Sequence, residues 1–389
     1  WQDAGFPGCR PRAGPVSDGA ALSGDRIQKE SFGMSRAMNA IAGNAIIRKF
    51  IGPVAGAALV MLTAQGPAVA QQVNILCAPV AEWCEAIVAA FQRDTGIKVN
   101  MARKSGGEIL AQIRAEAQNP RTDIWFGGSV EAHMAAAEEG LLAKYASPNM
   151  KDLHPWAVRA HEQANGFAVG VSSGIIGLVH NSAVATKKGF TPPKSWNDLL
   201  DPKLKGEIQM PNPNSSSTAY TIIAGLVQLM GEDQAFAFLA RMHPNVNSYT
   251  RSGSAPQKAV AQGESGVSIG FNFDIPTDKA RGFPIDIVFP AEGTSYEVAG
   301  MSLVKGSRNE AAAKRFYDWY LTAAAQDISA SIGQFHIPAH KGARPDDRIP
   351  DTAKLKLIDY DFRTFGAAAK RREILARWDR EIGSRPVGQ

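Results

Sequence analysis

Four clusters of small polar residues could do chemistry in this sequence: Ser105-Gly106-Gly107, Gly127-Gly128-Ser129, Ser215-Ser216-Ser217-Thr218 and Ser252-Gly253-Ser254. Each stands just before a stretch with helical periodicity, so each is expected to open a helix. A helix start presents N–H groups that have no partner within the helix, at the positive end of its dipole. Hydroxyls add further donors, and such sites hold the oxygens of carboxylates, phosphates or phosphonates. Arg103, Lys104 and Arg251 flank two of the clusters and could supply fixed positive charge. Ordinary helix capping draws on the same residue types and is the competing reading for any one loop. The convergence of all four in one cleft is the reading adopted. Ser173 and Asn272 join this polar set, and Trp83, Trp125, Tyr220, Phe271, Phe273 and Tyr296 are candidates for its apolar walls. Tyr220 and Tyr296 each follow a polar loop and carry a hydroxyl to offer, whereas Trp125 lies within a strand pattern and reads as core.

Catalysis has its own candidate. Gly170-Val171-Ser172-Ser173-Gly174 fits the G-x-S-x-G spacing of a nucleophile elbow and follows a strand. An elbow needs a helix next, and Ile175-Ile176-Gly177-Leu178-Val179 is β-rich instead. His180, His243, His336 and His340 have no evident orienting carboxylate, so a serine hydrolase built on Ser172 is an alternative reading only. Pro338 separates His336 from His340 and argues against a metal pair on one helix face. With no Walker-type loop, any energy source must lie in a partner. No cofactor is called for. Cys77 and Cys84 stand at a strand end and in the next helix; a disulfide is permitted by compartment and local geometry, with two free thiols as the alternative.

The elements that must position these residues alternate. Strand patterns at 73–78, 97–102 and 123–126 are interleaved with amphipathic helix patterns at 80–93, 108–118 and 131–139, which predicts mostly parallel sheets covered by helices. Two extended segments, 167–171 and 175–180, then mark a crossing into a second lobe. That lobe is expected to hold helices at 195–200, 216–230, up to 241 and 254–262, with strands at 206–210, 266–270 and 285–289. The segment 298–304 reads as the return crossing, followed by a helix over 309–326 and a basic helix over 364–382. The Lys370-Arg371-Arg372 run in the last helix reads as a solvated face.

The N-terminal region reads differently. Arg48 and Lys49 precede a short apolar run from Phe50 to Thr63, and Ala68-Val69-Ala70 supplies a peptidase site. This is the pattern of a secretory signal peptide within residues 34–70, cleaved after Ala70. Residues 1–33 are unpatterned and are expected to lie upstream of a start at Met34 or Met38. Residues 1–70 hold seven of the 42 basic and four of the 37 acidic residues, leaving the remainder at about +2. So balanced a chain, without a dense basic stripe, gives no support to nucleic-acid binding.

A family resemblance rests on Phe91-Gln-Arg-Asp-Thr-Gly-Ile-Lys-Val99, Ser105-Gly-Gly-Glu108, Ala117-Gln-Asn-Pro-Arg-Thr-Asp-Ile-Trp-Phe-Gly-Gly128 and Glu138-Glu-Gly-Leu-Leu142. It continues through Lys194-Ser-Trp-Asn-Asp-Leu-Leu-Asp-Pro202 and Asn214-Ser-Ser-Ser-Thr-Ala-Tyr220. In their order and spacing these resemble the extracellular solute-binding proteins of ABC importers, in the type II periplasmic group with ferric-iron, hexose-phosphate and aminoethylphosphonate binders. The resemblance implies an α/β clamp of two lobes joined by hinge-crossing strands, with the ligand cleft between them. Residues 71–170 with about 299–345 would form lobe 1, and 171–298 with about 346–389 lobe 2. It implies a periplasmic monomer that delivers a small anion to an inner-membrane ABC permease. Iron-binding members place adjacent tyrosines where this chain has Phe271-Asn272-Phe273, so ferric binding is the second reading and a phosphonate, sugar phosphate or carboxylate the first.

Overall fold

The computed structural model describes residues 71–344 and 346–387. The leader, the export signal and its cleavage site lie outside the described residues.

The first half follows the alternating pattern. Strand β1 (Gln72–Cys77), helix α1 (Ala81–Thr95), β2 (Lys98–Arg103), α2 (Gly106–Ala115), β3 (Ile124–Ser129) and α3 (Val130–Glu138) come in succession, and β1 pairs in parallel with both β2 and β3. Helix α1 buries Trp83, Ile87 and Phe91 and stops at Gly96, which adopts φ 71° and returns its N–H to the Gln92 carbonyl. After the short β4 (Leu142–Ala143) and α4 (Pro155–Gln163) comes β5 (Val169–Asn181).

Strand β5 corrects the sequence reading. The two segments separated by Ser172-Ser173-Gly174 are one continuous strand of 13 residues. Polar and small residues are tolerated there because the backbone is paired throughout. Residues up to Ile175 pair with the return strand, and Ile176–Asn181 pair with strands of the second sheet. A side chain at Gly174 would meet the Phe273 ring at 2.9 Å, so a glycine is required at that point.

The second sheet is fed by α5 (Ser182–Lys188), β6 (Ile208–Pro211), α6 (Ser217–Met230), α7 (Glu232–Met242), β7 (Val246–Thr250), α8 (Ala255–Gln262), β8 (Val267–Phe271), α9 (Ile275–Ala280) and β9 (Ile285–Val288). The return crossing β10 (Tyr296–Val304) runs antiparallel to β5 and then pairs with β3. Strand order is therefore β2-β1-β3-β10-β5-β8-β6-β7, with β5 and β10 joining the two halves. One core gathers Val73, Ile75, Phe91, Phe126, Phe316 and Tyr320, and another gathers Ile208, Met210, Phe236, Ile269 and Trp378. Two lobes connected by crossing strands follow from this arrangement.

Two long helix predictions break into pieces. The 309–326 stretch is α10 (Glu310–Tyr320) and α11 (Ala323–Gln326), because the Thr322 hydroxyl accepts the Ala325 N–H and starts a new turn. Beyond α12 (Ile328–Ser331) and β11 (Ile337–Pro338), the basic C-terminal stretch is α13 (Phe362–Gly366) and α14 (Ala368–Trp378), interrupted at extended Ala367. There the Ala368 N–H donates to Glu138 at the end of α3, 2.6 Å away. The segments α4, α5, β7 and α9 were not anticipated.

Candidate functional site

The four small-residue clusters do precede α2, α3, α6 and α8, and those helix starts meet where the lobes face each other. In α2 Ser105 and Glu108 form a capping box, the Glu108 carboxylate accepting the Ser105 N–H at 3.1 Å. The Ser105 hydroxyl also donates to the Arg251 carbonyl across the seam at 2.9 Å. The Gly107 N–H donates to the Ser215 carbonyl at 2.9 Å, and the Ser129 N–H to Ser217 Oγ at 3.0 Å. A Cβ on Gly106 would collide with Ser217, so only glycine permits this approach of the two lobes.

Between these contacts lies a narrow cavity of about 70 Å³. At one end Ser105, Gly106, Gly128, Ser216, Ser217, Thr218 and Ser254 line it. The N–H groups of Gly106, Ser217 and Thr218, in the first turns of α2 and α6, have no acceptor among the described residues. Arg103 lines the same end. Its Nε donates to the Pro79 carbonyl at 3.0 Å and its Nη2 to Ser252 Oγ at 2.9 Å, which links the lobes. Burial lowers the Arg103 pKa, with Glu108 and Glu82 opposing that shift, and the group stays charged.

The opposite end is aromatic. His336 is stacked between Trp83 and Phe273, with ring centroids 4.2 and 3.7 Å away. Burial pushes its pKa down to about 3, so the imidazole is neutral. Glu297, on β10, is buried in the cavity wall beside Thr218. Burial and the neighbouring Glu131 push its pKa up to about 8, while the Thr218 hydroxyl offsets part of the shift. Trp83 Nε1, Ser172 Oγ, Glu297 Oε2, Gln334 Oε1 and His336 Nε2 are buried with no hydrogen-bond partner among the described residues. Five such atoms around one cavity are what a site made to be filled presents, since buried polar groups are otherwise paired.

Several sequence candidates lie elsewhere, each for a visible reason. Tyr220 is buried in the second lobe, its hydroxyl donating to the Phe365 carbonyl at 2.6 Å. Tyr296 packs on Phe362 with centroids 5.7 Å apart. Arg251 extends into solvent and pairs with Glu108 across the seam. Ser173 Oγ donates to the Glu297 carbonyl at 2.8 Å, and Asn272 Oδ1 accepts the Ile175 N–H at 2.8 Å, so both brace the crossing strands. Gly107 and Ser215 form the seam, and Ser252 anchors Arg103. Gly127, at φ 76°, offers its carbonyl to His133 Nε2 at 3.1 Å and so orients the turn through Gly128. Cys77 and Cys84 are disulfide-bonded and fix the Ala78-Pro79-Val80 loop that lines the cavity. Trp125 is core, stacked on His133.

Glu297, Gln334 and His336 line the cavity although the sequence reading did not place them there. Glu297 had a faint signal, as a lone acid in an otherwise apolar strand; the other two had none. Ser172 lines the cavity too, but no strand-to-helix turn follows it and no histidine bonds its hydroxyl among the described residues, so the elbow geometry is absent.

Two lobes, two crossing strands and a cavity at converging helix starts define a ligand clamp. The chain belongs to the bacterial extracellular solute-binding proteins, whose family pattern matches residues 119–364. It is 36% identical over 329 residues to an uncharacterized protein of Haemophilus influenzae, covering 82% of this chain and 95% of that one. The periplasmic binding protein AfuA from Actinobacillus pleuropneumoniae, solved with exogenous fructose-6-phosphate bound, is 38% identical with a TM-score of 0.76. That match covers 80% of this chain and 98% of AfuA. The periplasmic binding protein P5PA is 35% identical with a TM-score of 0.78, over 80% of this chain and 99% of that one. No described helix is long and apolar enough to cross a membrane.

Proposed function

We propose that this clamp captures a small phosphorylated metabolite in the periplasm and presents it, closed, to an ABC permease. The observation that carries the reading is the group of unclaimed N–H donors at Gly106, Ser217 and Thr218, with Arg103 beside them. Backbone donors at helix starts match phosphoryl oxygens, and a fixed guanidinium neutralises their charge. The aromatic end takes the organic part. There Trp83, Phe273 and neutral His336 offer flat apolar faces; protonated Glu297, beside Thr218, can donate to a ligand oxygen without repelling an anion. The fructose-6-phosphate bound to AfuA supports the same class of ligand.

Export by cleavage after Ala70, a monomeric state and the lobe limits 71–170 with 299–345 and 171–298 with 346–389 belong to the same proposal. The ferric alternative is less well supported, because no tyrosine lines the cavity and Phe271 and Phe273 stand where phenolates are expected from the family resemblance. Native mass spectrometry of gently purified protein tests the reading. A retained adduct that loses the mass of a phosphoryl group on fragmentation is expected, and an adduct of ferric ion with a visible tyrosinate band would overturn it.

A further inference from the structure

The cation at the donor end is held by a turn that has few ties of its own. Arg103 gives its Nε to the Pro79 carbonyl at 3.0 Å, and its Nη2 to Ser252 Oγ at 2.9 Å and the Ala78 carbonyl at 3.5 Å. Its Nη1 makes no hydrogen bond among the described residues, and the residue lines the cavity. Two of the three acceptors are therefore main-chain carbonyls in the turn between β1 and α1. A guanidinium is only as well placed as the groups that hold it.

Hydrogen bonds secure that turn poorly. The Ala78 N–H donates to the Phe126 carbonyl at 2.8 Å, Pro79 has no N–H, and the Val80 N–H has no acceptor among the described residues. Val80 occupies the cap position of α1 without a side-chain cap. Pro79 rests on Gly127, where a Cβ would meet the proline ring at 2.5 Å. A covalent tie spans the turn instead: Cys77, the last residue of β1, is joined to Cys84 in the first turn of α1, and both are buried. Closing so short a loop restricts the unfolded chain less than closing a long one would, so the local effect on the two carbonyls carries more weight.

We infer that the Cys77–Cys84 bond is a positioning element of the ligand site, fixing the Ala78 and Pro79 carbonyls that hold the Arg103 guanidinium. The inference rests on the reading of Arg103 as the cation that receives a phosphoryl group, and adds that this cation acts through the disulfide. Without the bond the turn relaxes and the guanidinium swings, so affinity for a phosphate ester falls although the charge is kept.

Nuclear magnetic resonance of the Arg103 Nε–H, assigned by its loss in Arg103→Met, tests this in the wild-type chain and in Cys77→Ala/Cys84→Ala. Hydrogen exchange at Arg103 should quicken by ~tenfold or more in the double variant, while the signal of Arg371, buried on α14, holds its rate. Unchanged exchange at Arg103, or equal quickening at both arginines, overturns the inference. Titration with fructose-6-phosphate adds a second arm: wherever the wild-type chain binds it, the double variant should bind ~tenfold more weakly, and should lose no further affinity when Arg103→Met is already present. An equal loss with and without Arg103 also overturns the inference. If the double variant does not fold, wild-type chain made in a reducing cytoplasm, with both thiols kept, takes its place; a chain that folds in neither form shows the bond to be needed for the fold as a whole and overturns the inference. The cleft reading fails separately, by Arg103→Met leaving the affinity for the phosphate ester unchanged.

Discussion

In one part of the cleft lining, Gly106, Gly128, Ser216, Ser217, Thr218 and Ser254 gather backbone N–H groups and hydroxyls near Arg103, with Glu297 beside Thr218; in another, Trp83, His336 and Phe273 stack on one another. The first end is made of the starts of helices and needs small side chains so that backbones can approach. The second is made of large side chains from distant positions, and its geometry depends on packing. A clamp of this kind divides its labour: backbone donors hold a charged group common to many ligands, and side chains choose what the charge is attached to.

That comparison can be broken first at Arg103. Replacing it with Met removes the cation at the donor end and its bond to Ser252, and should weaken a phosphate ester by ~1000-fold, the scale of about 4 kcal/mol for truncating a buried charged contact. Unphosphorylated analogues should be unaffected when both are titrated by calorimetry. Next comes Gly106→Val, which forces a side chain against Ser217. Overpacking costs about 1–3 kcal/mol, here charged to closure, so affinity should fall while the melting temperature of the ligand-free protein changes little. Small-angle scattering should show the variant open with ligand present.

The carboxyl end is sharpened by pH. The folded-state pKa of Glu297 is raised from 4.5 to about 8, so the folded protein holds a proton that the unfolded chain releases. Stability from this group is therefore present below about 4.5 and is lost as pH rises toward 8. The ligand-free melting temperature should fall over that range, and Glu297→Gln should flatten the fall, removing at most ~5 kcal/mol of pH-dependent unfolding free energy. Glu131, also raised by burial, keeps the rest. The smallest effect is expected on the seam, where Arg251→Ala removes an exposed pair with Glu108. Such pairs contribute about 0–1 kcal/mol, so ligand affinity should change by less than about fivefold.

The two ends also differ in how far the sequence reveals them. The donor end was legible because helix starts are local: Ser105, Ser129, Ser216 and Ser254 each stand one residue before their helices, and composition plus periodicity is enough to see that. The aromatic end brings together residues 83, 273 and 336, and no local pattern joins them. Tyr220 shows the limit from the other side. It follows a polar loop, but its place on α6 carries the ring toward Phe365 and Arg371 in the lobe interior, and a loop's proximity in sequence says nothing of that direction. In the fold, the alternating units from β1 to α3 were clear. Strand β5 was divided in two because Ser172-Ser173-Gly174 looks like a turn until strands on both sides claim its backbone. Helix α4, Pro155–Gln163, is short and polar on average, and strand β7, Val246-Asn-Ser-Tyr-Thr250, is mostly polar, so neither was seen.

The central claim is that the donor end is built for a phosphoryl group. Calorimetric titration of the purified protein with small organic phosphates, each beside its dephosphorylated counterpart, tests it most directly. At least one phosphate ester should bind tighter than its counterpart by ~1000-fold or more, as charge-assisted hydrogen bonds of about 1.5–3 kcal/mol each would give. Equal affinity for both members of every pair, or heat only on addition of ferric ion, would contradict the account.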